Sequence, residues 1–197
     1  MTPFVVTSFY TNGTGYEKEA QRLKKSLLKH DIPHYVVGLP SHGDWRRNIY
    51  EKAQVIQRTR QSVPFGHAVV WLDADAEVMR YPHLFHELGP EIGFAYHNRG
   101  GSLSSGTMYF GPGLPADWLL GAWINRLNKR IFQETWAEKT EQAVLKETLN
   151  AMNKSDTPTV RVADLPLSYS TIFDGPQPDE PVVIRHHQAS RRLRRKV

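Results

Sequence analysis

The sequence predicts an α/β fold of one domain, with a mixed, mostly parallel sheet flanked by helices. Three observations predict it. Strand-like and helix-like segments alternate as β-α-β-α-β through the first half of the chain and more loosely in the second. The run Ala68-Val69-Val70-Trp71-Leu72 is apolar throughout, about strand length, and does not alternate, so it reads as a strand buried on both faces between helix layers. At 197 residues, 40% hydrophobic and 23% charged, the chain has the size and composition of one globular domain with a proper core.

Taken in order, Phe4 to Ser8 is the first strand, followed by the turn formers Thr11 to Gly15. Tyr16, Ala20, Leu23, Leu27 and Leu28 recur at helical spacing and predict a helix to His30, which Asp31-Ile32-Pro33 ends. His34 to Gly38 is the second strand. Asp44 caps a helix to about Gln61, with Trp45, Ile49, Ala53 and Ile56 on one face. A short helix runs from Tyr81-Pro82 to about Leu88, and Ile92 to Tyr96 is a strand. His97 to Gly106 reads as a polar, glycine-rich loop, and Thr107 to Gly111 as the strand after it. Pro115 to Arg130 is a helix with Trp118, Leu119, Ala122, Trp123 and Leu127 inward, and Thr140 caps another to Met152. Val160 to Ala163 and Pro181 to His187 are the last strands, separated by a proline-rich surface loop.

Several function classes are excluded or weakened. No apolar run approaches the roughly 20 residues of a membrane span, and a secretory signal pattern is not expected, since strand residues begin at Phe4. With no cysteine there are no disulfides or thiolate metal sites, which fits a reducing compartment and an expected cytoplasmic location. Gly13-Thr14-Gly15 has Lys18 where a dinucleotide fingerprint wants its third small residue, and no P-loop pattern is present. The net charge is +5 and uneven: Arg185, Arg191, Arg192, Arg194, Arg195 and Lys196 cluster near the end without an acid among them, a patch suited to nucleic acid, anionic lipid or a diphosphate. The domain is read as residues 1–187, with 188–197 as a basic C-terminal segment.

The chemistry centres on Asp73-Ala74-Asp75. Two carboxylates at the carboxyl end of a buried strand lie where open α/β sheets place their ligands. They repel unless a cation joins them, and oxygen donors suit Mg2+ or Mn2+. A histidine ending another strand, His186 or His187, completes a set that tilts the choice toward Mn2+. A metal with so few protein ligands binds through substrate phosphates, and Lys52, Arg191 and Arg192 would stabilise charge developing on a departing diphosphate.

These residues resemble the Asp-x-Asp signature of GT-A glycosyltransferases, the small glycogenin-like and galactosyltransferase-like nucleotide-diphospho-sugar transferases. Other segments follow in the order such enzymes show. Thr7, Ser8, Phe9 and Tyr10 fall where the base and ribose would lie, and Arg47 to Lys52 where a basic residue approaches the donor. Ser104-Ser105-Gly106-Thr107 is similar to the Asn-x-Gly segment contacting the donor sugar, with Ser104-Ser105 in place of the usual Asn before Gly106. Glu141-Gln142 matches an acidic-Gln pair near the transferred sugar, and His186 is preferred over His187 as third metal ligand because the small Ala189 follows it by three. The resemblance implies a GT-A, Rossmann-like fold and a metal-dependent hexosyltransferase. It would move a sugar from a nucleotide-diphosphate donor, UDP-sugar favoured, to an acceptor hydroxyl; the acceptor stays open, the basic end and high pI allowing a hydroxymethylated base in DNA, with a glycan as the other candidate. Glu141 and Gln142 would be its catalytic residues. A metal-dependent phosphoryl or nucleotidyl transferase, and a non-enzymatic nucleic-acid-binding module, stay open beside it, as does peripheral contact with an anionic membrane.

Overall fold

The computed structural model describes residues 1–131, 140–154 and 160–193. Its chain order is β1 (Phe4–Thr11), α1 (Tyr16–Lys29), β2 (His34–Leu39), α2 (Trp45–Ser62), β3 (Ala68–Leu72), β4 (Ala76–Val78), α3 (Leu84–Glu87), β5 (Phe94–Arg99), β6 (Ser102–Phe110), α4 (Leu114–Ile131), α5 (Glu141–Met152), β7 (Val162–Asp164), β8 (Thr171–Ile172), β9 (Ile184–His186) and α6 (Ala189–Leu193). The main sheet has six strands in the order β2-β1-β3-β6-β5-β7. The β1–β2, β1–β3 and β5–β7 pairs are parallel, and β6 runs antiparallel to both of its neighbours. A small second sheet, β4-β9-β8, stands beyond the carboxyl end of β3. Among the described residues, no helix is long and apolar enough to cross a membrane.

β3 shows why its sequence does not alternate. Ala68, Val70 and Leu72 point into one core with α1, while Val69 and Trp71 point into another with α2, α4 and α5. All five residues are buried. A polar residue on either face would lose water and find helix side chains instead, so the strand stays apolar until it leaves the sheet at Asp73.

The first half follows the sequence expectations closely. α1 buries Ala20, Leu23 and Leu27, although Leu28 is left 65% exposed. α2 starts at the expected cap: Asp44 Oδ1 accepts a hydrogen bond from Arg47 N at 3.0 Å, and the helix runs one residue past Gln61. Asp44→Ala is therefore expected to cost about 1 kcal/mol, read as a lower urea midpoint with an unchanged m-value.

The expected loop from His97 to Gly106 is a correction. It is a β-hairpin: β5 extends to Arg99, β6 begins at Ser102, and only Gly100 and Gly101 turn the chain. Both have positive φ, +54° and +84°, the requirement of a two-residue type I′ turn. Polar residues dominate the hairpin because its outer part borders a cleft rather than the core. A second correction concerns α4. Trp123 is fully buried, but Trp118 is 52% exposed.

Candidate active site

Asp73-Ala74-Asp75 forms the tight turn that carries the chain from the main sheet to the small one. Asp73 N donates to Gly106 O at 2.9 Å, and Ala76 N donates back to Asp73 O at 2.8 Å. The two carboxylates leave this turn into different surroundings. Asp73 is partly open to solvent, and its Oδ1 accepts from Trp71 Nε1 at 2.8 Å and meets Lys52 Nζ at 3.0 Å. Asp75 is buried. Its Oδ2 accepts from Ala189 N at 2.7 Å, and its Oδ1 lies 3.7 Å from His186 Nδ1.

Lys52 is the inner charge of the site. Only 4% exposed, it reaches from α2 to Glu141 Oε1 at 2.8 Å and to Ser105 O at 3.2 Å, and lies 5.2 Å above the Trp71 ring. Burial alone would lower its pKa, but the charges of Asp73 and Glu141 and their hydrogen bonds outweigh burial and raise it above the usual lysine range. Ser105 Oγ stands 3.1 Å from both Glu141 Oε1 and Gln142 Oε1, so β6 and the first turn of α5 are tied together at this point. Trp123 Nε1 fixes that turn from below by donating to Glu141 O at 3.1 Å.

His186 ends β9, opposite Ala76 in the small sheet. Its Nε2 lies 2.8 Å from Thr107 Oγ1 and both residues are buried. Burial pushes the Asp75 carboxyl up, yet its contact with His186 and the hydrogen bond from Ala189 bring it below the ordinary carboxylate range. The adjacent His187 faces elsewhere, pairing with Glu77 Oε2 at 2.8 Å.

The result is a group of cation ligands. One donor atom each from Asp73, Asp75 and His186 lie within 4.8 Å of one another, a spacing at which the three could hold one ion between them. The donor set, two carboxylates and one imidazole, fits Mn2+ or Mg2+. These ligands open into a cleft of about 440 Å³ at the carboxyl end of the parallel strands.

The structure brings most of the expected residues to this cleft: Phe9, Tyr10, Lys52, Asp73, Ala74, Asp75, Ser104, Ser105, Gly106, Glu141, Gln142, His186 and Arg191 all line it. Arg191 also pairs with Asp174 at 2.6 Å. Others do not reach it with their side chains. Thr7 is fully buried, its hydroxyl 2.8 Å from that of Thr59, and Ser8 and Thr107 are likewise sealed within the sheet. Arg47 is exposed on the first turn of α2 and does not line the cleft. The side chain of Arg192, and Arg194, Arg195 and Lys196, lie outside the described residues.

The cleft also uses residues that sequence reasoning did not single out as site residues. Trp45, Asn48 and Ile49 line it from α2, and Arg99 and Ser102 from the hairpin tip. For the α2 residues a signal existed: they precede Lys52 by seven, four and three positions, the spacing of one helix face. Ser170 and Ile172 had none, because only the folding of the small sheet brings them there.

No protein-family model matches this sequence, and no curated protein matches it. Solved structures do match its fold. A glycosyltransferase involved in glycosylation of the major capsid of PBCV-1 aligns over 98% of both chains, with a TM-score of 0.67 and 14% identity. The glycosyltransferase GlyE of Streptococcus pneumoniae TIGR4 aligns over 95% of this chain and 55% of its own, with a TM-score of 0.61 and 16% identity. Mouse xyloside xylosyltransferase 1 aligns over 96% of this chain and 99% of its own, at 0.53 and 10%. The chain has the GT-A-like fold of small glycosyltransferases.

Proposed function

We propose that this protein is a metal-dependent hexosyltransferase that moves a sugar from a nucleotide-diphosphate donor, UDP-sugar foremost, to an acceptor hydroxyl. The observation that carries this reading is the meeting of two groups in one cleft on a glycosyltransferase fold: the Asp73–Asp75–His186 cluster, and Ser105, Glu141 and Gln142, joined through Lys52. Asp73, Asp75 and His186 would hold Mn2+ or Mg2+, which when bound supplies charge stabilisation for the leaving nucleoside diphosphate.

The protein's own groups do the rest. Phe9 and Tyr10, at the end of β1, form the wall read as contacting the base. Arg191 lies on the rim, at the start of the basic C-terminal segment, where it meets phosphate charge. Ser104, Ser105 and Gly106 present hydroxyls and bare backbone to the donor sugar. Glu141 and Gln142 lie nearest the reacting carbon in this reading. Lys52 and Ser105 engage Oε1 of Glu141, whereas Oε2 has no hydrogen bond among the described residues and is the atom able to take a proton from the acceptor hydroxyl.

A panel of nucleotide-sugars with Mn2+ tests the reading. Release of the nucleoside diphosphate, faster with an acceptor and lost with EDTA, is the expected result. Release of inorganic phosphate without sugar transfer would overturn it in favour of a phosphoryl transferase.

The acceptor is read as a hydroxyl on a glycan or on a hydroxymethylated base in DNA, and both belong in the panel. Within the cleft, Lys52 lies between two carboxylates and Arg191 pairs with Asp174, so a DNA acceptor would draw on Arg99 and on the cations beyond Arg191 for its phosphates. Deleting residues 194–197 removes three cations. The salt dependence of DNA binding, measured by fluorescence anisotropy, should then flatten by about 3 in log–log slope. An unchanged slope would exclude the tail as a phosphate contact.

A further inference from the structure

An imidazole binds a cation only through a nitrogen that carries no proton, and the hydrogen bond made by the other nitrogen decides which one that is. In His186 the two nitrogens have different partners. Nε2 lies 2.8 Å from Thr107 Oγ1, in a pocket where both residues are buried. Nδ1 faces Asp75, 3.7 Å from Oδ1. That separation is too long for a hydrogen bond. The other Asp75 oxygen, Oδ2, is engaged by Ala189 N at 2.7 Å, which leaves Oδ1 on the side of the ring.

The strand beneath the ring is shaped to it. A Cβ on Gly106 would fall 2.9 Å from His186 Cε1, closer than real contacts allow, and a tight 3.2 Å from Nδ1, so a side chain there would push the ring from this position. The same Gly106 carbonyl anchors the backbone of Asp73. Thr107 is fully buried in a central strand, where Val has the same shape and needs no partner. Among the described residues the hydroxyl's one hydrogen-bond partner is His186. Two consecutive residues of β6 thus set the height of the imidazole and occupy its far nitrogen.

We infer that Thr107 and Gly106 are positioning residues of the cation site: the Thr107 hydroxyl occupies His186 Nε2 and fixes the ring, so that Nδ1, beside Asp75 Oδ1, is the nitrogen offered to the divalent ion. This rests on the metal-site reading above and assigns Thr107 a role other than donor contact. The metal selected is a hard or borderline ion, since Nδ1 joins two carboxylates.

Two measurements test it, and neither needs turnover. Nitrogen-15 NMR of the protein loaded with diamagnetic Mg2+ should show the ion at His186 Nδ1 and the ring proton on Nε2. Mn2+ binding followed by electron paramagnetic resonance should weaken by about 10–100-fold in Thr107→Val. Thr107→Ser, which restores the hydroxyl, should return to within about threefold of the parent. Near-ultraviolet circular dichroism confirms that both variants fold. Ligation through Nε2 in the Mg2+-loaded parent, or Mn2+ affinity in Thr107→Val within about threefold of the parent, overturns the inference while leaving the metal site standing. A parent protein that binds no Mn2+ at all removes the metal-site reading itself, and this inference with it.

Discussion

Lys52→Met is expected to abolish transfer and to lower stability by about 3–5 kcal/mol, the range for breaking a buried ion pair by removing one partner. For a domain of this size that is a fall in melting temperature on the order of 10 °C. The cause is what remains behind. Glu141 is 6% exposed and would keep a charge with Ser105 as its one side-chain hydrogen-bond partner among the described residues, and Asp73 would lose its cation. A second substitution separates the charge effect from packing. Lys52→Met with Glu141→Leu removes both buried charges, and should recover a substantial part of the lost stability while staying inactive, giving a coupling energy in a double-mutant cycle. Unfolding of the single variant within 1 kcal/mol of the parent would show that Glu141 is not held by Lys52. The pH dependence follows from sign. Asp73 and Glu141, against the opposing effect of burial, raise the pKa of Lys52 in the folded protein. The stabilisation is therefore fully present below the ordinary lysine pKa, about 10.4, and is lost only as pH rises through the higher folded value. The difference between parent and Lys52→Met should be flat from pH 6 to 9.

The same residue shows what was legible in the sequence. Its location was, since Asp44 caps α2 and the apolar spacing fixes which face of the helix is inward. Its partner was harder to see. Glu141 lies 89 positions away, and no local pattern marks a lysine that will be buried rather than solvated. β3 and the Asp pair were legible because burial on both faces forbids polar residues until the strand ends. The hairpin of β5 and β6 was not. Ser102, Ser104 and Ser105 are polar residues inside a strand, and the strand period is masked because Ser105 bonds α5 and Ser104 contacts Ser170 instead of packing. Gly100-Gly101 was read as part of a loop, although two glycines between strands are also the signal of a tight hairpin. The order of the site segments along the chain carried the glycosyltransferase reading. The burial of Thr7 and Ser8 could not be read that way, because β1 continues to Thr11 and the cleft begins only at Phe9.

Asp73→Asn is the sharpest test of the cation site, because it changes charge with little change in shape. The oxygen that accepts from Trp71 Nε1 and meets Lys52 Nζ can be kept by asparagine, and Asp73 N still donates to Gly106 O. The side chain is 39% exposed, so the amide nitrogen reaches water and no buried group is orphaned. Without metal the variant should fold but be less stable than the parent, because buried Lys52 keeps this oxygen and Glu141 but loses the charge of Asp73. With metal the two proteins should part further. Binding to the folded state alone stabilises the parent by about 2.7 kcal/mol at a free Mn2+ concentration one hundred times its dissociation constant. That corresponds to a rise of roughly 5–10 °C in melting temperature for a domain of this size. In Asp73→Asn, where one of three ligands has lost its charge, the same Mn2+ concentration should give a rise of less than about 2 °C, with turnover down at least a hundredfold, the scale of a lost electrostatic contact at a reacting centre. Adding UDP widens the gap only if the nucleotide binds through the ion: the parent should gain further stability from UDP in Mn2+ but not in EDTA, and the variant in neither. A parent protein that gains as much from UDP in EDTA as in Mn2+ would show that the diphosphate is held by side chains alone. Full turnover in Asp73→Asn would remove the Asp pair from the reaction altogether, leaving the turn between β3 and β4 as a structural device that happens to carry two acids.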